Sequence, residues 1–230
     1  EDRIYDIAML LCKHELEKGI TLSFQSVNVD VLKNIKRQNI KLSTYKNLQV
    51  KFNRENVPVY TELILGLPGE TYGSWVEGID TIFESGFRGQ LFIYLCEVYL
   101  NTDMADPTYQ KRFGIITKRI VLTETHGAIR IGRLISEFQD VVISTLSMPP
   151  QDWQRSLVFS WMAMTLFSLK LCFFIIIYLH KRYKVKLSDF IEYICSLKIE
   201  TDDVTVLRDE VAEFENYVER ILAGKGKSCK

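Results

Sequence analysis

Along the first hundred residues the hydrophobic positions alternate between a helical and an extended period. Ile4, Ile7, Ala8 and Leu11 recur at helical spacing, and Gly19 is placed to end that helix in a left-handed conformation. Residues 21–26 read as a short strand and residues 31–37 as a helix. Ser43 or Thr44 is placed to cap the next helix, whose Tyr45, Leu48 and Phe52 share one face. Residues 57–67 form an extended apolar run. A helix is then expected over 71–85, with Trp75, Ile79, Ile82 and Phe83 on one stripe and Gly86 closing it, followed by a strand over 91–98. Apolar strands joined by helices imply an α/β fold with parallel strands covered by helices, and in barrels of that type function sits at the C-terminal strand ends.

Beyond Asn101 the pattern changes to an irregular stretch, a short strand over 141–143, a Pro149-Pro150 break and then helices. Residues 153–183 read as one long apolar helix and Ser188 as the cap of another. The last helix sets Val204, Leu207, Val211, Phe214, Val218 and Ile221 at alternating spacings of three and four, a seam that needs a partner surface. The expected division is therefore residues 1–125 and a mainly helical extension, 126–230. Residues 157–179 have the length of a bilayer span, which takes about 20 residues. Lys170 near the centre, with Ser160, Thr165 and Ser168, is costly in lipid and argues for a helix buried against residues 187–197 and the 204–221 seam.

Composition narrows the function classes. Among 230 residues, 47% hydrophobic content fills a proper core, and 29 basic against 29 acidic residues leave no basic footprint for a nucleic acid. The expected partners are a small molecule or a modified macromolecule, with neither a nucleic acid nor a membrane among them. Cys12, Cys96, Cys172, Cys195 and Cys229 are scattered and odd in number, which fits a reducing cytoplasm and neither a disulfide framework nor a metal cluster. His14, His126 and His180 share no ligand spacing, so no metal ligands are expected in the chain. The chain begins Glu1-Asp2 without Met, already inside a helical pattern, and that start is expected to be a cut edge.

Candidate chemistry concentrates in Glu62-Leu63-Ile64-Leu65-Gly66-Leu67-Pro68-Gly69-Glu70-Thr71, a buried strand entering a glycine-bracketed turn before a helix. Glycines permit close backbone approach and the helix start offers free amides. The segment matches neither a Walker loop nor G-x-G-x-x-G. Glu62 is an acid in an otherwise apolar strand and demands a partner, while Gln25 and Ser26 end the neighbouring strand, so polar groups from adjacent strands converge.

In Ser23-Phe24-Gln25-Ser26, then Val31-Leu32, Ile35 and Arg37, then residues 62–71 and 91–102, the chain resembles radical S-adenosylmethionine enzymes. The likeness is strongest to the cobalamin-binding branch and its coproporphyrinogen-dehydrogenase-like relatives. It extends over residues 1–125 and, more loosely, to Thr145-Leu146-Ser147-Met148 and Asp152-Trp153. The resemblance implies the C-terminal half of a partial (βα)6 TIM-like barrel, its fourth to sixth strands, followed by an α-helical extension. It implies that Gln25, with Ser26 beside it, contacts S-adenosylmethionine and that Arg37 pairs with the methionyl carboxylate. Glu62 would bond the ribose hydroxyls, the backbone at Gly66 and Leu67 line the adenine, and Glu97 follow at the end of the sixth strand. Arginine grips a carboxylate bidentately and a carboxylate accepts from two hydroxyls, so these roles are chemically apt.

Two departures stand out. Leu100 occupies a position where relatives often carry Pro, and no Cys-x-x-x-Cys-x-x-Cys is present to hold a four-iron four-sulfur cluster. In the complete protein the resemblance implies reductive cleavage of S-adenosylmethionine to a 5'-deoxyadenosyl radical at such a cluster, with electrons from a flavodoxin or ferredoxin and with cobalamin as a further cofactor. The substrate is not readable. The competing reading is a non-catalytic scaffold or interaction module derived from the barrel, against which stands the retention of Gln25, Arg37 and Glu62 together.

Overall fold

Helix α1 (Asp2–Lys13) opens the computed structural model, which describes residues 2–16, 19–124, 137–197, 202–225 and 227–229. There follow β1 (Ile20–Thr21), α2 (Val29–Asn34), α3 (Leu42–Arg54), β2 (Val59–Leu65), α4 (Tyr72–Glu84) and β3 (Gln90–Leu95). The strands form one parallel sheet in the order β1-β2-β3, with Ile20 opposite Val59 and Thr21 opposite Tyr60. On β2, Val59, Thr61, Leu63 and Leu65 are buried, and Thr61 shares a 2.6 Å hydrogen bond with the Tyr45 hydroxyl of α3. Tyr60, Glu62 and Ile64 lie on the other, half-open face. There the rings of Tyr60 and Phe92 stand 5.9 Å apart and those of Phe92 and Tyr94 6.4 Å. The stripe expected on α4 is buried at Trp75, Ile79, Ile82 and Phe83.

Local expectations fail where the backbone turns left-handed at residues with no strong preference for it. The strand expected over 21–26 shrinks to two residues and a single bridge from Gln25 to Leu63, because Gln25 adopts φ 58° and breaks the extended run. α1 ends before Gly19: Glu15 takes φ 54° and the Leu16 N–H donates to the Leu11 carbonyl. Gly19 is instead required by crowding, since a Cβ there would lie 2.9 Å from the Pro58 carbonyl oxygen. Lys41, not Ser43 or Thr44, occupies the cap position of α3, and it does so without a side-chain hydrogen bond. Lys36 at φ 54° drops Arg37 out of the helix expected to carry it.

Contacts divide the chain into two compact units. One gathers Glu1–Ile64, Gly73–Tyr94 and Ser160–Ile194; the other gathers Leu65–Tyr72, Leu95–Phe159 and Cys195–Lys230. In the second unit a 3-10 turn, Asp103–Ala105, precedes α5 (Pro107–Phe113), capped by Asp106 and closed by Gly114 at φ 58°. The stretch expected to be irregular then forms β4 (Ile116–Glu124), antiparallel to β5 (Glu137–Ser144), which contains the strand expected over 141–143.

The long apolar helix expected over 153–183 is broken. α6 (Pro150–Ala163) passes into a π-helical turn, Met164–Ser168, and α7 (Phe173–Tyr183) leaves at 93° to it. Ser168 and Lys170 are anchored at the break: the Ser168 Oγ accepts from the Leu91 N–H at 3.0 Å, and the Lys170 Nζ donates to the Arg88 carbonyl at 2.5 Å and lies 4.0 Å over the Phe173 ring. Desolvation lowers the Lys170 pKa. Among the described residues no single helix is long and apolar enough to cross a membrane.

In α8 (Leu187–Ser196) Ser188 does not act as a cap. Its N–H and Oγ donate to the buried Asp80 carboxylate at 2.9 and 2.6 Å. α7 packs on α4 as well, the His180 ring lying 4.8 Å from that of Phe83. In the second unit α9 (Asp202–Leu222) meets β4, with Val218 and Ile221 of its seam fully buried, and β6 (Lys227–Cys229) pairs parallel to β4. His126 lies outside the described residues.

Candidate functional site

Although β1 is short, the period of two persists beyond it. Leu22, Phe24 and Ser26 are buried while Ser23 and Gln25 turn toward the half-open side. Backbone bonds place this stretch against β2: the Phe24 and Gln25 N–H groups both donate to the Glu62 carbonyl at 3.1 Å, and the Ile64 N–H donates to the Gln25 carbonyl at 2.9 Å. Gln25 and Glu62, expected to converge, are therefore neighbours in the sheet.

The Glu62 carboxylate is held by Ser23, whose Oγ donates to Oε2 at 2.5 Å. Tyr94 on β3 feels it too. Burial first and the Glu62 charge second raise the phenol's pKa, so Tyr94 stays a neutral hydroxyl beside a carboxylate. Gln25 carries two costs: a left-handed backbone and a buried Oε1 without a hydrogen-bond partner. An unsatisfied buried acceptor costs about 1–3 kcal/mol, and a sparsely populated φ/ψ a similar amount.

Arg37 is exposed and reaches this strand end indirectly. Its Nε donates to the Asn39 Oδ1 at 3.3 Å, and the Asn39 Nδ2 donates to the carbonyls of Phe24 and Ser26 at 2.7 and 2.9 Å. Ser26 is buried and its Oγ accepts from the Asn28 N–H at 3.0 Å, a turn contact that leads into α2. Sequence reasoning gave no role to Ser23 or Asn39. The period of two, which puts Ser23 on the side of Gln25, could have found the first; nothing local signals the second.

In the other unit Gly66 takes φ 99°, and a Cβ there would lie 3.3 Å from the Val142 carbonyl oxygen and 3.4 Å from both the Cys96 Cβ and the Trp153 Nε1. Leu67 is buried beside it. Glu97 is half-buried and bridges antiparallel to Val141, flanked by bonds from the Val142 N–H to the Cys96 carbonyl (2.8 Å) and from the Val98 N–H to the Asp140 carbonyl (2.9 Å). The Cys96 thiol is pushed up to about 12, chiefly by burial and then by the Glu97 charge, so it remains protonated and inert.

Within the first unit the strand end thus presents a carboxylate acceptor, an orphan amide acceptor and a tethered cation. That set suits a ligand with hydroxyl or ammonium donors at one point and a carboxylate at another. Among the described residues no group of three His, Cys, Asp or Glu side chains is placed to hold a metal ion.

No family model matches the chain. Over 162 residues, 69% of the chain, it is 36% identical to the cobalamin-dependent radical SAM methyltransferase TokK of Streptomyces tokunonensis, covering 23% of that protein. Over 154 residues, 66% of the chain, it is 33% identical to the 2-(S-pantetheinyl)-carbapenam-3-carboxylate methyltransferase of Streptantibioticus cattleyicolor, covering 22% of it. The chain thus spans less than a quarter of the length of these curated relatives.

Proposed function

The chain belongs to the cobalamin-binding branch of the radical S-adenosylmethionine superfamily, and from that premise we propose that its parallel strand ends bind S-adenosylmethionine in a longer methyltransferase. The observation that carries this reading is the Gln25 Oε1, a buried acceptor without a partner, set beside Glu62 in the sheet. Glu62 accepts from the ribose hydroxyls while Ser23 orients its carboxylate. Arg37 pairs with the methionyl carboxylate, positioned by Asn39. Gln25 supplies its free oxygen to a donor of the ligand, and Ser26 shapes the turn behind it. Gly66, Leu67 and Glu97 belong to the other unit and are not part of this proposal. The three parallel strands are the fourth to sixth of a partial barrel, and the half-open face bearing Tyr60, Phe92 and Tyr94 is its interior.

At a reduced four-iron four-sulfur cluster held elsewhere in the longer protein, bound S-adenosylmethionine would supply a 5'-deoxyadenosyl radical, and cobalamin would supply a methyl carrier. No cluster ligand is assigned to this chain. Its own residues bind and orient the nucleoside, with the Glu62 carboxylate as acceptor next to the Tyr94 hydroxyl. Methyl transfer is the activity by which both relatives are named; for the longer protein it is our proposal, as is a flavodoxin- or ferredoxin-type electron donor.

Equilibrium dialysis of S-adenosylmethionine against the full-length protein tests the reading. Arg37→Ala and Glu62→Ala should each weaken binding by about 1.5–3 kcal/mol, the value of a lost charge-assisted hydrogen bond, with the thermal transition unchanged. Unchanged affinity in both variants would overturn it.

A further inference from the structure

We infer that α7 rests on an anionic lipid surface, lying in the headgroup layer without crossing it. Leu171, just ahead of α7, is 68% exposed, and on the helix itself one stripe is turned outward, with Phe174, Ile175 and Tyr178 81, 55 and 59% exposed. Their spacing is that of a single helical face. The opposite side faces protein, with Ile176 buried and His180 against Phe83. The same outward stripe runs on into Lys181 and Arg182, both exposed, one heptad beyond Phe174 and Ile175. From Leu169 to Ser188 the chain carries Lys170, Lys181, Arg182, Lys184 and Lys186 and no Asp or Glu.

An apolar ridge with a basic end and aromatic residues beside it has the composition of a helix lying in a membrane interface. Length excludes a span by α7 itself, because its 11 residues are about half of the roughly 20 that a bilayer needs, and α6 leads into it at 93°. Charge selects the occupant. Lys181, Arg182, Lys184 and Lys186 are all exposed at this end of the helix, and anionic headgroups complement them, whereas Lys170 is engaged with the Arg88 and Gly89 carbonyls. The segment belongs to one unit together with α4 and β3 and is independent of the strand-end site in function, so the two readings stand or fall separately.

The test is co-sedimentation of the full-length protein with vesicles of phosphatidylcholine alone and of phosphatidylcholine with phosphatidylglycerol in equal parts. Binding is expected only to the anionic vesicles, reversed by high salt and by carbonate. Phe174→Ser/Ile175→Ser and Lys181→Glu/Arg182→Glu should each lower the partition coefficient by about tenfold or more. S-adenosylmethionine affinity and the thermal transition report whether each variant is folded. Three results would overturn the inference: no difference between the two vesicle types, carbonate-resistant insertion, or a lipid-independent dimer that Phe174→Ser/Ile175→Ser dissociates.

Discussion

Gln25 and Gly66 both sit at positive φ, for opposite reasons. Gly66 is there because its φ of 99° is a conformation that L side chains rarely adopt, and a Cβ would also meet the Val142 carbonyl oxygen at a tight 3.3 Å. Gly66→Ala is expected to destabilise the protein by about 1–3 kcal/mol, read as a lower denaturation midpoint with an unchanged slope. An unaltered midpoint would show that the turn relaxes freely. Gln25 could be replaced by glycine without steric cost, yet a long amide is kept with its oxygen buried and unpartnered.

At the scale of elements, what could be read from the pattern was whatever a period decides. The alternation in 59–65 and the stripe Trp75, Ile79, Ile82 and Phe83 were legible because burial on one face repeats at two or 3.6 residues. The break in the apolar helix was not. Ser168 and Lys170 were visible as polar intrusions, but their targets, Leu91 and Arg88, lie some eighty residues earlier, and no local pattern links them. The same holds for Ser188, which reads as a cap and is in fact tied to Asp80 on α4.

That tie has a pH signature. Desolvation raises the Asp80 pKa above its ordinary value against the opposing effect of the Ser188 hydrogen bonds. A carboxyl raised in the folded state contributes stability that is complete below its unfolded pKa, about 3.9, and is lost as pH rises through the folded value. Asp80→Asn keeps an acceptor for the Ser188 N–H but cannot ionise. Its melting temperature should therefore fall less than that of the parent as pH is raised from about 4 into the neutral range. Parallel curves would refute the assignment.

For the molecule as a whole, the family was legible before the site was. Residues 62–71 carry a recognisable strand and turn, and the relatives at 36 and 33% identity agree with that reading. The way Arg37 is held was hidden, since it passes through Asn39 to two backbone carbonyls, a link that only the fold brings together. The α/β assignment and the parallel sheet could be read from alternating periods, whereas β4 was not read as a strand; one of its two partners, β6, comes from the far end of the chain. The measurement that bears most directly on the strand-end site is a structure of the full-length protein with S-adenosylmethionine. The account predicts the ribose hydroxyls on the Glu62 carboxylate, the methionyl carboxylate on Arg37 and a ligand donor on the Gln25 Oε1. A ligand bound elsewhere, with that oxygen still unpartnered, would contradict it.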